Sequence, residues 1–236
     1  MLDFSITALD PETAARAAEL DTPHGTVRTP AFMPVGTAGT VKGMAAWELE
    51  RLAPEMVLAN TYHLLLRPGV DRIEKMGGLH RLMAWPGPIL TDSGGYQVFS
   101  LAARRSLDDD GVTFRSHLDG SAHRLTPESV VETQARYGVD VAMVLDECLP
   151  YPVEMDDARE SVARSIEWAR RALVRAQKMR VESTRWGGGL FAIQQGSVDE
   201  GLRRRCTDEL AGYDFDGFAV GGLAVGEPME VLHEAV

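Results

Sequence analysis

Cysteine is scarce in this sequence, and long apolar runs are missing from it. Its 236 residues include two cysteines, Cys148 and Cys206, which are too few for a disulfide framework or a four-cysteine zinc site. No apolar run approaches the ~20 residues that a membrane-spanning helix needs. The opening segment MLDFSITALD has neither a basic region nor an apolar core, which argues against a secretory signal. We therefore expect a cytoplasmic protein without membrane contact.

Positive charge is also in short supply. Lys and Arg number 24 against 35 Asp and Glu, which gives a formal net charge of −11. Because nucleic-acid binding needs Lys and Arg to neutralise phosphates, this balance by itself argues against a nucleic-acid partner. We interpret most of the local basic stretches, Arg104-Arg105, Arg170 to Arg180 and Arg203-Arg204-Arg205, as solvated helix faces.

Short apolar runs, by contrast, recur along the whole chain. Six of them are continuous enough to predict strands that are covered on both faces, as in a parallel sheet: 31–35, 56–59, 88–90, 139–145, 190–193 and 215–220. Helical patterns alternate with them, beginning near Ala45, Thr126, Asp156 and Leu202. This alternation predicts a parallel α/β protein. The pattern alone does not choose between a doubly wound sheet and a barrel.

One segment breaks this alternation. Residues 112–118 alternate between apolar and polar side chains, Asp119-Gly120 is a hairpin turn signal, and a second arm follows. We predict an antiparallel hairpin inserted after the third parallel strand.

Polar or glycine-rich residues follow four of the predicted strands, at the edge where the loops of parallel α/β folds converge on ligands. After the third strand come Asp92, Ser93 and the Gly94-Gly95 pair. Asp92 could be the N-cap of a helix that begins at Ser93. Glycine costs about 1 kcal/mol relative to alanine in a helix, so Gly94 and Gly95 argue against this interpretation. We interpret the glycine pair as a place where the backbone approaches a ligand.

The strands that follow carry Asp146, Gln195 and Gly221-Gly222 in the same position. Asp146 lies too far from the helix pattern near Asp156 to cap it. A buried carboxylate needs a partner, and its two acceptor oxygens match the adjacent N–H donors of a guanine-like edge. Gln195 either binds a purine carbonyl or ties down its own loop. The glycine pair is either a tight turn or a source of free backbone N–H groups.

Metal and nucleophile motifs are missing. The six histidines show no metal-ligand spacing: His24, His63, His80, His117, His123 and His233. Neither a nucleophile elbow nor a phosphate-binding loop is present. We expect Cys148 and Cys206 to be core thiols, and we expect no metal in this chain.

Seven motifs, taken in order, resemble those of the tRNA-guanine transglycosylase family. They span the chain up to Glu227: 27–37, 59–64, 91–97, 118–121, 145–148, 194–196 and 219–223. The resemblance implies a (β/α)8 barrel, of which about six of eight strands lie in residues 1–236. It also implies a homodimer that exchanges guanine at the tRNA wobble position for the prequeuosine base in bacteria, or for queuine in eukaryotes.

The resemblance assigns a catalytic loop after the third strand. Asp92 matches the aspartate regarded as general acid/base or guanine holder. Ser93, Gly94, Gly95 and Tyr96 complete the loop, with Tyr96 stacking on the base.

The resemblance further implies that Asp146 binds the guanine edge, and that Gln195 and the backbone of Gly222-Leu223 bind near its carbonyl. Cys148 and Val225 match the residue types found where family members favour prequeuosine over queuine. We therefore expect a member of the bacterial branch.

Two family features are expected beyond Val236. They are the aspartate that attacks the ribose and forms a covalent tRNA intermediate, and the Cys-x-Cys-x-x-Cys…His ligands of a zinc-binding subdomain. We therefore expect residues 1–236 alone to lack this zinc site and not to exchange bases. Three alternatives stay open: a non-catalytic partner subunit of a heterodimeric transglycosylase, an archaeal-type enzyme inserting another deazaguanine, and an unrelated barrel enzyme.

Overall fold

A computed structural model of the chain describes residues 2–101, 105–182 and 186–236. The chain divides into two compact units. The first comprises Met1–Asp92, Thr133–Ala142 and Ser183–Gly189, and the second comprises Ser93–Glu132, Met143–Glu182 and Leu190–Val236. Each unit is therefore assembled from several chain segments.

The strands of the described residues are, in chain order, β1 (Asp3–Leu9), β2 (Arg16–Thr22), β3 (Gly25–Thr29), β4 (Val57–Ala59), β5 (Ile89–Thr91), β6 (Arg105–Asp108), β7 (Gly111–Arg115), β8 (Ala122–Leu125), β9 (Val141–Met143), β10 (Gly189–Gln194) and β11 (Gly217–Val220). The helices are α1 (Ala46–Leu52), α2 (Thr61–Leu66), α3 (Val70–Lys75), α4 (Leu79–Met83), α5 (Gly95–Leu101), α6 (Pro127–Tyr137), α7 (Met155–Val181), α8 (Glu200–Ala211) and α9 (Met229–Ala235). None of these helices combines the length and the apolarity that a bilayer crossing requires.

The first unit begins with an antiparallel sheet in the order β1-β2-β3, which the sequence did not predict. All seven residues of β1 are exposed, and Ala18 and Val27 are the core residues that the other two strands contribute. A sheet that buries so few side chains shows no apolar alternation in its sequence, which explains why it was missed.

The same unit holds parallel strands, as the apolar runs predicted. β4 pairs with β5 over its whole length, and Leu90 and Thr91 of β5 pair with Val141 and Ala142 of β9. The run at 31–35 is a correction, because only Val35 forms an isolated parallel bridge, to Leu58. Proline at positions 30 and 34 supplies no N–H group, so a regular ladder cannot extend there.

In the second unit, β10 and β11 pair in parallel, and the Val144 amide just after β9 donates to the Phe191 carbonyl at 3.1 Å. The inserted hairpin is confirmed as β7 and β8, and the Ser116 and Gly120 amides close its turn. A third strand, β6, pairs with β7 and makes this a three-stranded antiparallel sheet. The chain is thus an α/β protein with both parallel and antiparallel sheets.

The predicted helices are present, and their ends follow the sequence signals. Thr126 caps α6, since its hydroxyl accepts the Ser129 amide at 3.2 Å, and Gly138 follows the helix with φ +72°. The stripe predicted from position 156 onward is the buried face of α7, on which Val162 and Ala169 are fully covered. This burial of one helical face gives the second unit much of its core.

The basic stretches are paired with acids but only partly solvated. Arg171, Arg175 and Arg180 are half-buried, and Arg104 lies outside the described residues. Arg170 pairs with Glu167, and Arg204 and Arg205 pair with acidic residues one turn away on α8. Arg203 is the exception, because it is 5% exposed and donates to the Gln194 side chain at 2.6 Å.

Candidate functional site

The loops that follow the parallel strands of the second unit bring several predicted residues together. Gln194 pairs with Val220, the last residues of β10 and β11, so the next residues in the chain, Gln195 and Gly221, emerge side by side. Asp146 lies three residues beyond the end of β9. These loops come from the carboxyl ends of the strands, where parallel α/β folds build ligand sites.

Asp146 is the centre of this cluster. Its side chain is buried, and each carboxylate oxygen accepts a hydrogen bond from a neutral donor. The Ser93 hydroxyl donates to Oδ1 at 3.2 Å, and the Gln195 amide Nε2 donates to Oδ2 at 2.6 Å. Three residues separated by about fifty positions or more in sequence therefore meet at one buried carboxylate.

Two glycines are required by this packing. A Cβ atom on Gly95 would lie 2.7 Å from the Asp146 carbonyl oxygen. Gly222 has φ +70°, and a Cβ atom there would lie 2.8 Å from Gln195 Oε1. The sequence interpretation linked the Gly94-Gly95 pair to a ligand, whereas the structure adds a second reason, which is close contact with the Asp146 loop.

Buried thiols line the same region. Burial, and then the nearby charge of Asp146, raise the pKa of the Cys148 thiol to about 12. Cys206 is fully buried, and its sulfur accepts the backbone N–H of Gln195 at 3.3 Å. Both are core thiols, as predicted.

Other parts of the second unit hold these loops in place, and the sequence interpretation missed them. The Ser165 hydroxyl on α7 accepts the Glu147 amide at 3.0 Å, and the Ser161 hydroxyl donates to the Glu147 carbonyl at 2.7 Å. Arg164 pairs with the Glu147 side chain, although burial still raises the pKa of that carboxyl group. The serine spacing of four on a helix is the signal that was available.

Arg203 supports the next two loops. Its guanidinium donates to the carbonyls of Ser197 and Gly221 at 3.1 and 3.0 Å, in addition to the Gln194 side chain. Burial lowers the pKa of this side chain. In the sequence, Arg203 is one of three consecutive arginines and does not stand out. Its position on the same helical face as the buried residues of α8 was the signal that could have identified it.

The loop after β11 carries the remaining predicted residues. Leu223 and Val225 are half-buried, and the Val225 carbonyl accepts the Tyr151 amide at 3.2 Å. The Glu227 carboxylate, which the sequence interpretation passed over, accepts the amides of Val225 at 2.9 Å and of Ala224. This side chain therefore fixes the shape of the loop.

Tyr96 lies in the first turn of α5. Its side chain is 50% exposed, so its ring is accessible to a stacking partner.

Asp92 belongs to the first unit, where it organises the junction of β4 and α2. Its carboxylate accepts the Thr61 amide at 2.9 Å and the Asn60 side-chain amide. Its backbone carbonyl accepts the Thr61 hydroxyl at 2.6 Å. Asp92 does not cap the helix that follows it, because α5 begins at Gly95. Asn60 and Thr61 lay within a recognised motif, but no sequence pattern connected them to Asp92.

The comparisons with known proteins agree on one family. The family model described as "Queuine tRNA-ribosyltransferase" matches residues 10–236. Proteins with that name from Desulforudis audaxviator and Solibacter usitatus are 52% and 51% identical to this chain over 99% and 100% of it. The chain spans 61% and 62% of their lengths. These matches exclude an unrelated barrel enzyme, and the chain belongs to the queuine tRNA-ribosyltransferase family.

Proposed function

We propose that this chain contains the base-binding part of a tRNA-guanine transglycosylase, which replaces guanine at the tRNA wobble position with the prequeuosine base. The observation that carries the proposal is the buried Asp146 carboxylate, whose oxygens are shared between Ser93 and Gln195. The parallel strands that present these residues are, in this proposal, part of a (β/α)8 barrel.

The hydrogen bonds of Asp146 match one edge of guanine. Guanine offers two adjacent N–H donors, the ring N1–H and the 2-amino group, and a carboxylate accepts both at once. The Ser93 hydroxyl and the Gln195 amide are neutral donors in the places that these two groups would take. Once displaced from Asp146, the Gln195 amide donates to the guanine carbonyl in this proposal. The second donor is the Gly222 backbone N–H, which contacts the Cys148 thiol in the unliganded chain.

Asp92 has a different part in the proposed reaction. Base exchange requires the bond from ribose to guanine to break as a carboxylate attacks the anomeric carbon, and the incoming base then reverses this step. Asp92 handles the proton of the departing and entering bases, as the family resemblance implies. The Asn60 and Thr61 donors keep its carboxylate in one orientation. We assign the nucleophile to no residue of this chain.

The choice of incoming base rests on Cys148 and Val225. Their residue types are those associated with prequeuosine, and the raised pKa of Cys148 keeps that thiol neutral and able to donate. The macromolecular partner in this proposal is tRNA with guanine at the wobble position, and a homodimer is its expected assembly.

Calorimetric titration with guanine and with hypoxanthine, which lacks the 2-amino group, tests the proposal. A hydrogen bond to a charged group is worth about 1.5–3 kcal/mol, so Asp146→Asn should weaken guanine binding at least about tenfold. The same substitution should remove the preference for guanine over hypoxanthine, because the group that reads the 2-amino donor is lost.

Asp157→Asn is the matched control, since Asp157 is an exposed acid in the first turn of α7. It should bind both purines as the unsubstituted chain does. Guanine binding that is unchanged by Asp146→Asn, or an unsubstituted chain that binds both purines equally, would contradict the proposal.

A further inference from the structure

A second cluster of ionisable side chains lies in the first unit, around the residue that precedes β9. His24 is in the turn between β2 and β3, His80 is on α4, and Asp140 directly precedes β9. Their ligand atoms all lie within 4.8 Å of one another. The spacing of the three residues along the chain does not indicate this cluster, because they are 56 and 60 positions apart.

The geometry places two imidazoles on one carboxylate. His24 Nδ1 lies 2.8 Å from Asp140 Oδ1, and His80 Nε2 lies 3.1 Å from Asp140 Oδ2. The two rings are stacked, with centroids 3.6 Å apart and planes 20° apart. Each histidine therefore directs one ring nitrogen towards a different oxygen of the same group.

The backbone fixes this carboxylate. The His24 amide donates to Oδ1 at 3.0 Å, and the Ile89 amide donates to Oδ2 at 2.8 Å. Each oxygen thus has one backbone hydrogen bond and one lone-pair direction facing an imidazole. Hydrogen bonds of this kind orient the ligands of metal sites, and outer-shell partners contribute about 10–100-fold to metal affinity.

Access and charge also fit an ion. Asp140 is fully buried, whereas 39% of the His24 side chain is exposed, so one side of the cluster is open to solvent. An ionised carboxylate is costly to bury without a compensating charge, and a divalent cation would neutralise it.

We propose that His24, His80 and Asp140 bind a divalent transition-metal ion such as Zn²⁺, Co²⁺ or Ni²⁺. Two imidazole nitrogens and a carboxylate suit these borderline ions, and ligand distances of about 2.0–2.2 Å place donor atoms roughly 3–3.5 Å apart. The His80–Asp140 distance of 3.1 Å fits this range, and the His24–Asp140 distance of 2.8 Å lies slightly below it. The two ring nitrogens are at most 4.8 Å apart, so they need to approach each other by about 1.3 Å at most. Each histidine binds the ion through the lone pair of the ring nitrogen that faces Asp140, in the tautomer that carries its proton on the other ring nitrogen. The ion fastens the β2–β3 turn to α4 and to the start of β9.

The site differs from the family's cysteine-rich zinc set, and the proposal stands apart from the base-exchange function. Its ligands come from the first unit alone, and neither Cys148 nor Cys206 takes part.

Titration of the purified full chain with Co²⁺ tests the proposal. We expect one equivalent to bind, with visible d–d absorption but without the near-ultraviolet charge transfer that a thiolate ligand produces. Thermal unfolding should shift to a higher temperature in the presence of the ion, because binding to the folded state stabilises it.

His24→Asn and His80→Gln separate metal binding from folding. The Asn and Gln amides place a donor where Nδ1 and Nε2 lie, so the hydrogen bonds to Asp140 persist while an imidazole ligand is lost. Each should weaken Co²⁺ binding at least about tenfold and abolish the thermal shift, with an unchanged circular dichroism spectrum.

His233→Gln is the control, because His233 is an exposed histidine on α9. It should bind Co²⁺ as the unsubstituted chain does. Absence of binding by the unsubstituted chain would overturn the proposal, as would equal binding by the His24 and His80 variants.

Discussion

Cys148 shows how strongly the environment of one residue sets its chemistry. Its pKa of about 12, against an ordinary 9.0, leaves about a thousandth as much thiolate at mildly alkaline pH. Because the thiolate is the nucleophile, we predict that the folded chain resists alkylation by iodoacetamide at Cys148. Burial also raises the pKa of Cys206, so that thiol should resist as well.

Mass spectrometry of chain treated with iodoacetamide measures this directly. The denatured chain is the control and should take up two equivalents, one at each cysteine. Rapid modification of Cys148 in the folded chain would mean that its thiol is neither buried nor affected by Asp146.

At the scale of one element, helix propensity favours alanine at the position of Gly95, whereas packing favours glycine. Alanine is about 1 kcal/mol better than glycine in a helix, so propensity alone predicts that Gly95→Ala stabilises α5. The new Cβ atom, however, would lie 2.7 Å from a backbone oxygen of Asp146, which cannot turn away as a side chain would. Overpacking of this kind costs about 1–3 kcal/mol, so we predict a net loss of stability in urea unfolding and weaker guanine binding.

Gly201→Ala provides the comparison within α8. Gly201 is exposed, and the nearest atom to a new Cβ is Asp199 Oδ1 at 3.3 Å. This oxygen caps α8 by accepting the Leu202 amide at 2.8 Å, and a shift of a few tenths of an ångström relieves the contact while the cap is kept. This variant should be as stable as the unsubstituted chain or more stable. Equal behaviour of the two variants would show that the contact with Asp146 is not restrictive.

For the molecule as a whole, the paired carboxyl groups determine how stability depends on pH. Hydrogen bonds and arginine partners lower the pKa of many of them below the ordinary values of 3.8 for Asp and 4.5 for Glu, and Asp119 falls to about 2. Those whose net pKa is lowered are Glu55, Asp71, Asp108, Asp119, Glu128, Asp140, Glu167 and Glu227. Glu147, with its raised pKa, acts in the opposite direction.

The direction in which stability changes with pH depends on whether the folded or the unfolded state is protonated at the higher pH. A carboxyl group with a lowered pKa in the folded state is protonated first in the unfolded state, so its contribution is present above about pH 4.5 and is lost as the pH falls towards 2. We predict that the urea midpoint is nearly constant from neutral pH down to about 5 and falls steeply below about 4.5.

Net charge adds to this loss at the acid end. Protonation first relieves the net charge of −11, but once the carboxyl groups are neutral, the 24 Lys and Arg and the 6 His repel one another instead. Added salt is the control, because it screens exposed ion pairs and should flatten the curve. A midpoint that stays constant down to pH 3 would show that these pairs do not contribute to stability.

The candidate site was partly visible in the sequence for a physical reason. Asp146, Gln195 and Gly222 follow short apolar runs, and residues that follow parallel strands share one edge of a sheet. The partners of these residues were not visible, since Ser161 and Arg203 look like ordinary helix positions until the helix is packed. The N-terminal sheet was missed because its strands bury too few side chains to leave a pattern.

By itself, the sequence determined the parallel α/β class, the antiparallel hairpin at Asp119-Gly120, the main helices and the family, because periodicity, turn residues and ordered motifs are local along the chain. Only the tertiary structure decided that Ser93 and Gln195 share the Asp146 carboxylate, and that His24 and His80 share that of Asp140. Contacts between residues dozens of positions apart depend on how elements pack, and that packing leaves no periodic trace in the sequence.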